Sequence, residues 1–475
     1  MFTSQPAAST LFTTVVKNGH CIGCGACAAI DPGIEMRLTR FGQYEASLKE
    51  AATPTAAAAR VCPFGDGNPN EDEIGRQLYG KYGNADDHLG FHVACYAGWV
   101  SESDFRSRGS SGGVASWILA ELLERDLVDH VVHVASVPGE QGAPLFRFTV
   151  SSTAEEVRAN AKSRYYPVEM SGVIQQILEH PGRYAVTGIP CFIKALRLAS
   201  RESSVLKDRI AFTLGIVCGH LKSTAFAELF AWQCGIEPRQ LRAIDFRTKL
   251  PGRAANGYAV TVSGLRSGEP VAVTRATSEL YGADWGHGFF KYKACDFCDD
   301  VVGETADVSI GDAWLPEYEG DPRGTNVIIV RSPVIHALLV EAAEKRRLHL
   351  DEIPAAKAVE SQAGGFRHRR EGLAFRLHCE DAAGNWRPQK RVESSRGQLT
   401  GKRRNIYLRR YRLGQESHRA FAEAKEANDL ELFRAKMLPK TKAYDRLFRK
   451  PLLIRIIIRI KRLCSNLISK TSAIR

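Results

Sequence analysis

The run Cys21-Ile-Gly-Cys24-Gly-Ala-Cys27 constrains this chain more than any other feature. Thiolates at C-x2-C-x2-C spacing wrap one face of a cubane iron–sulfur cluster. The small Gly23, Gly25 and Ala26 let backbone amides approach the sulfurs. Residues 21–80 are rich in Cys, Gly and Ala, which leaves little apolar volume for an independent core. They are expected to form a small module stapled by a cofactor, with strands at Ile34–Leu38 and Tyr44–Leu48 around Phe41-Gly42.

The bacterial form of this run continues with x3-C-P. Here the fourth slot reads Asp31-Pro32, so the proline is present and the cysteine is not. In a two-cluster arrangement that fourth cysteine serves the other cluster. Cys62-Pro63 is then the counterpart from a second half that lacks its own triple. The ligands close on one 4Fe–4S cluster held by Cys21, Cys24, Cys27 and Cys62. Zinc is the alternative, but it usually takes paired C-x2-C knuckles. The C-x3-C-x2-C spacing of a radical S-adenosylmethionine site is not met.

Beyond His92 the texture changes to strands alternating with helices. Strands are expected at Val93–Val100, Val128–Ser136, Arg183–Thr187, Ile210–Val217, Ala306–Ile310 and Val327–Val330. Helices are expected at Gly112–Arg125, Cys191–Ser200, Ser223–Gln233 and Pro333–Lys345. That alternation indicates an α/β domain with a largely parallel sheet. Cys191 then opens a helix after one strand and Cys218 follows another. Both thiols fall at carboxyl ends of strands, the edge where open α/β sheets bind ligands. A helix N-terminus is expected to lower the pKa of Cys191. Cys295-Asp-Phe-Cys298 supplies a further pair, giving four ligands for a second 4Fe–4S cluster. The competing reading keeps Cys191 and Cys218 as plain buried thiols and Cys295/Cys298 as a redox pair. Cys95, Cys234, Cys379 and Cys464 stand apart from both groups.

The net charge is +12, yet residues 440–475 carry eleven Lys/Arg against the single acid Asp445. The remaining body is nearly neutral, which argues against a broad nucleic-acid surface. Leu452–Ile468 places Arg455, Arg459 and Arg462 on one helical face opposite branched aliphatics. An amphipathic helix on an anionic membrane surface fits that pattern, and so does a helix packed on the body or on a partner. No apolar run is long enough to span a bilayer, and no basic segment precedes an apolar core near the start. The expected location is cytoplasmic, with peripheral attachment to the inner face of the membrane as an option. Twelve cysteines in a reducing compartment point to metal ligands or reactive thiols rather than disulfides.

Five segments recur together in order: Arg108-Gly-Ser-Ser-Gly-Gly113, Thr187-Gly-Ile-Pro-Cys191, Phe212-Thr-Leu-Gly-Ile-Val-Cys218-Gly-His220, Cys295-Asp-Phe-Cys298 with Ala306-Asp-Val-Ser-Ile-Gly-Asp312, and Arg323-Gly-Thr325. This string resembles the coenzyme F-420 hydrogenase/dehydrogenase beta-subunit family, and the N-terminal module resembles the ferredoxin-like module often joined to it. The resemblance covers roughly residues 15–350. It implies an oxidoreductase with FAD and iron–sulfur clusters, some relatives carrying two clusters and one flavin. Members also occur in bacterial surface-polysaccharide gene sets. The organisation that follows is a ferredoxin-like 4Fe–4S domain at 1–85, an FAD- and cluster-binding core at 86–360, and an Arg-rich extension with an amphipathic C-terminal helix at 361–475. The fold expected is α/β: a small α+β cluster module, a mixed, largely parallel sheet core with flanking helices, and a helical basic tail.

The fingerprint G-x-G-x-x-G is absent, so a conventional Rossmann flavin site is not expected. Arg108, Gly109, Ser110, Ser111, Gly112 and Gly113 offer another cradle, in which backbone N–H groups at a helix N-terminus face a diphosphate. A Ser N-cap with a glycine turn is the plain alternative. Lys162 and Arg164 are candidates for phosphate or ring contacts, Thr187 and Gly188 for close approach to a planar ring, and Asp312 for a ribose or flavin edge. Solvated charges and an ordinary turn Asp are the competing readings. His220 and His287 are weaker candidates for proton donors. No catalytic residue is assigned. The function expected is electron transfer between 4Fe–4S clusters and FAD that reduces or oxidises a small organic substrate or a deazaflavin coenzyme. Ferredoxin or another electron-donor protein is the expected partner. A non-catalytic electron-transfer subunit that docks a separate enzyme is the alternative.

Overall fold

A computed structural model describes residues 10–137 and 143–449. Its centre is an eight-stranded mixed sheet. In chain order the strands are β1 (Ala94–Val100), β2 (His130–Ser136), β3 (Phe146–Ser151), β4 (Tyr184–Gly188), β5 (Ile210–Ile216), β6 (Val308–Asp312), β7 (Asn326–Val330) and β8 (Leu348–Glu352). Their spatial order is β8-β1-β7-β6-β5-β4-β2-β3. The heart, β6-β5-β4-β2, is parallel, and both flanks are antiparallel. Every residue of β4 and β7 is buried. That is why these strands read as continuous apolar runs, with helices covering both faces.

The parallel heart sends the carboxyl ends of β4, β5 and β6 to one edge. Gly188, Cys218 and Asp312 all lie there. Pro190–Glu202 follows β4 as a helix with proline at its first position, where the missing N–H costs nothing. Expected strand and helix positions agree with the structure to within a few residues. A three-stranded antiparallel sheet, Leu241–Thr248, Ala259–Arg266 and Glu269–Ala276, was not foreseen.

The N-terminal module holds the helix Ala26–Ile30, the hairpin Ile34–Leu38 with Tyr44–Leu48, and the helix Ala56–Arg60. Gly23 has φ +71°, and a Cβ there would meet Tyr44 O at 2.5 Å, so only glycine lets the cysteine run turn against the hairpin. The module is docked by specific bonds. Met170 N donates to Cys24 O at 2.9 Å, Arg60 clasps Glu202, and Tyr292 OH accepts from Tyr44 N at 2.8 Å.

Residues 361–449 are largely helical, with an irregular stretch between Ala382 and Gly401. The long helices Gly401–Ala427 and Leu430–Asp445 pack against each other. Leu373, Leu377, Ile406, Leu413, Phe421 and Phe433 join the same apolar core as Ile22 and Val15 of the N-terminal module. The extension is therefore part of the folded body. The amphipathic segment Leu452–Ile468 lies outside the described residues. Among those described, no helix is long and apolar enough to cross a membrane.

Candidate functional site

Cys191, Cys218, Cys295 and Cys298 line one small enclosed cavity. Cys191 is the second residue of its helix, Cys218 follows β5, Cys295 lies inside a short 3-10 turn at Lys293–Phe297, and Cys298 directly follows that turn. Leu221 N donates to Cys295 Sγ at 3.3 Å. The expected fall in the Cys191 pKa does not occur. Burial pushes it well above the ordinary thiol value, with the other three thiols adding to the rise. Desolvation outweighs the helix end here because the thiol faces a small space closed in by protein and the other thiols. Cys218 is pushed up to about 11, again first by burial. Burial raises Cys295 in the same way, and thiols that resist ionisation alone fit a cationic iron core, which supplies the missing positive charge. Among the described residues no three His, Cys, Asp or Glu groups are drawn together tightly enough for a single metal ion. The thiols bound a space instead.

Cys21, Cys24, Cys27 and Cys62 form the other group. Burial raises the pKa of all four, and Cys27 feels Cys24, Cys21 and Cys62. Cys62 is pushed up to about 12. The two groups are neighbours: Cys191 feels the charge of Cys24, and Ile22 and Phe64 line the second group's cavity.

A much larger cavity of about 300 Å³ opens on the far side of Cys218. Its wall includes Gly109, Ser110, Ser111, Gly113, Lys162, Arg164, Thr187, Gly188 and Asp312. Nine sequence-expected residues thus converge on one space. The helix Val114–Glu124 starts at this wall, and Ala115 and Ser116 of its first turn line it. Gly113 precedes the helix with φ +84°, and a Cβ there would come within 2.6 Å of Phe105 O. Ser110 Oγ accepts from Ser163 N at 2.8 Å, leaving its proton to donate.

Arg108 and Gly112 do not line the cavity. Arg108 points outward and pairs with Asp104. Gly112 is packed between Gly98 O and Asn326 Oδ1. Gly188 is explained by its own helix, because a Cβ would crowd Ile193 and Phe192 at 3.1 and 3.3 Å. Asp312 is held by Arg247, whose Nη1 lies 3.1 Å from Oδ2 and 3.2 Å from Tyr165 OH. Lys162 pairs with Asp245 at 3.0 Å. Arg164 is half-buried, its buried Nε lacks a partner, and desolvation lowers its pKa to about 10.

His220 lines the cavity with a buried, unpartnered Nε2. Burial, reinforced by Lys222 and Lys291, holds its imidazole neutral. His287 instead bonds Asp445 Oδ1 at 2.8 Å and stays outside. Sequence reasoning missed Arg247, Lys222 and Trp285. Lys222 Nζ donates to Phe289 O at 2.6 Å and sits over Trp285 at 4.8 Å. Cations, a helix N-terminus and the aromatic faces of Trp285 and Tyr165 fit an anionic group with a planar ring.

Comparison with known proteins places the chain in a family. Two family models match, both describing the beta subunit of coenzyme F420 hydrogenase/dehydrogenase. The model of its N-terminal part covers residues 95–175, and the model of its C-terminal part covers residues 182–356. The beta subunit of coenzyme F420 hydrogenase from Methanosarcina barkeri is 22% identical over 255 residues, 52% of this chain and 78% of that protein. A subunit of the F(420)H(2) dehydrogenase from Methanosarcina mazei is 23% identical over 333 residues, 67% of this chain and 81% of that protein. Coenzyme F420-dependent sulfite reductase of Methanocaldococcus jannaschii is 22% identical over 71% of this chain and 48% of that protein. A solved chain of the F420-reducing NiFe hydrogenase complex from Methanosarcina barkeri is 17% identical over 62% of this chain and 96% of its own length, with a TM-score of 0.46. With the matched models spanning more than half its length, the chain belongs to the coenzyme F420 hydrogenase/dehydrogenase beta-subunit family.

Proposed function

We propose that this protein is an oxidoreductase with two 4Fe–4S clusters and one FAD, exchanging electrons with a small organic substrate or a deazaflavin coenzyme. The observation that carries the reading is the order of the three spaces. The first thiol group neighbours the second through Cys24 and Cys191, and Cys218 lines both the second thiol space and the large cavity. Bound clusters and flavin would supply one-electron transfer and its conversion to two-electron chemistry.

The chain's own residues hold and screen these groups. Ser110, the glycine turn and the helix Val114–Glu124 cradle an anion. Arg247 fixes Asp312 at the rim, while Trp285 and Tyr165 wall off a ring. His220, kept neutral, offers a hydrogen bond rather than an acidic proton. An N-terminal ferredoxin-like domain at 1–85, a cofactor core at 86–360 and an extension at 361–475 complete the proposed organisation. A ferredoxin or similar donor would meet the first cluster. The location proposed is cytoplasmic, with the basic residues near the C-terminus adding contact to an anionic membrane.

A second reading, an electron-transfer subunit without its own substrate, is favoured by the relatives that are themselves named subunits. Turnover assays separate the two. Isolated protein that passes electrons from reduced ferredoxin or reduced F-420 to an organic acceptor supports an enzyme. Activity that appears only with a second protein supports the subunit.

A further inference from the structure

The family models end at residue 356, yet the second thiol cavity is closed by a residue beyond it. Arg369 lines that cavity beside Cys191, Cys218, Cys295 and Cys298. It is 2% exposed. Its Nη2 donates to Gly219 O at 2.8 Å, next to Cys218, and its Nε has no partner. Among the described residues it forms no ion pair with a carboxylate, and the first thiol group has no equivalent. The cation felt there is Lys194, and Glu71 neutralises it at 3.1 Å. We infer that Arg369 is a positioning residue of the C-terminal extension that sets the reduction potential of the second cluster. This rests on the two-cluster reading above.

The physical argument is charge. Four thiolates around an iron–sulfur core leave a net negative group, and one-electron reduction makes it more negative by one charge. In a buried site that step is opposed unless a cation lies close. Net charge and hydrogen bonds at the sulfurs are the levers by which proteins move cluster potentials. The guanidinium stays protonated and makes no ion pair, because Asp300, the acid that shares the cavity, turns its carboxylate to the backbone amides of Val302, Gly303 and Glu304. It therefore favours the reduced state of the second cluster and leaves the first nearly unaffected. Lys390, from the same extension, contributes less because Asp299 Oδ1 lies 3.4 Å from its Nζ.

The test uses the full chain purified without oxygen, as wild type, Arg369→Gln and Arg369→Lys. Iron and sulfide are counted first, and potentials are then read by EPR-monitored titration. The signal missing from a Cys218→Ala variant marks the second cluster. The expected result is unchanged iron in Arg369→Gln, a more negative potential for the second signal alone, and substantial return in Arg369→Lys. Unchanged potentials at full iron overturn the inference. Iron loss in both variants also overturns it, because the role is then packing. Wild-type protein with only about four irons fails earlier, at the two-cluster reading itself.

Discussion

Cys218 and Ile189 form a shared wall: both line the small thiol cavity and the large cavity beside it. They sit at the carboxyl ends of β5 and β4, which the parallel pairing Gly188↔Gly215 brings side by side. Each strand supplies one element of that wall. A redox group among the thiols would therefore be separated from a ligand in the large cavity by that wall alone.

Substituting Cys191, Cys218 or Cys295 by Ser is expected to lower iron from about eight to about four atoms per chain. The remaining absorbance would belong to the first cluster. Cys24→Ser should leave the second cluster's iron in the same way. Iron analysis with sulfide counting checks both, and unchanged iron in Cys218→Ser would contradict the ligand set.

Gly112→Ala tests the cradle. Its Cβ would stand 2.7 Å from both Gly98 O and Asn326 Oδ1. The β1 backbone or the Asn326 side chain must yield, at a cost of about 1–3 kcal/mol. Asn326 Oδ1 accepts from Val114 N at 3.2 Å, so the strain reaches the helix start. Weaker flavin retention on gel filtration is the expected readout.

Sequence showed much of this frame because strands buried in the middle of the sheet are apolar on both faces. The run Asn326–Val330 advertises itself in that way. The strand Glu269–Ala276 does not, since none of its residues is buried and its pattern is polar. Thiol pairing was legible from spacing plus strand ends. Arg247 and Arg369 were not, because their roles arise from contacts 65 and 150 residues away in the chain. Arg108 shows the opposite error. A charge beside a glycine turn suggests a phosphate contact, but one turn of helix aims it at Asp104 and solvent.

Asp296 lies between two proposed ligands and is fully buried. Its carboxylate pairs with buried Lys291, and its carbonyl accepts from Arg376 Nε at 2.7 Å. Asp296→Ala leaves Lys291 without its carboxylate and is expected to cost about 3–5 kcal/mol of stability. Chemical denaturation measures it. Asp296→Asn should lose less, because the amide oxygen still accepts.

Stability is expected to fall as pH drops from about 7 to 5.5. Burial lowers the pKa of His418 and of His133 from 6.5 to about 4. Between those values the unfolded chain binds protons that the folded chain refuses. The stabilisation is thus present above 6.5 and is lost progressively below it. Each histidine contributes at most about 1.4 kcal/mol per pH unit. His20, His220 and His368 are lowered in the same sense. Melting temperatures across this range check the slope, which the His133→Gln/His418→Gln pair should flatten.

The central claim is one relay built from two clusters and a flavin. Its most direct test is the iron, sulfide and flavin content, with the visible spectrum, of protein purified without oxygen. A relay of this composition holds about eight irons, about eight sulfides and one FAD per chain. Four irons would remove Cys191, Cys218, Cys295 and Cys298 from the ligand set, and zinc without flavin would contradict the account altogether.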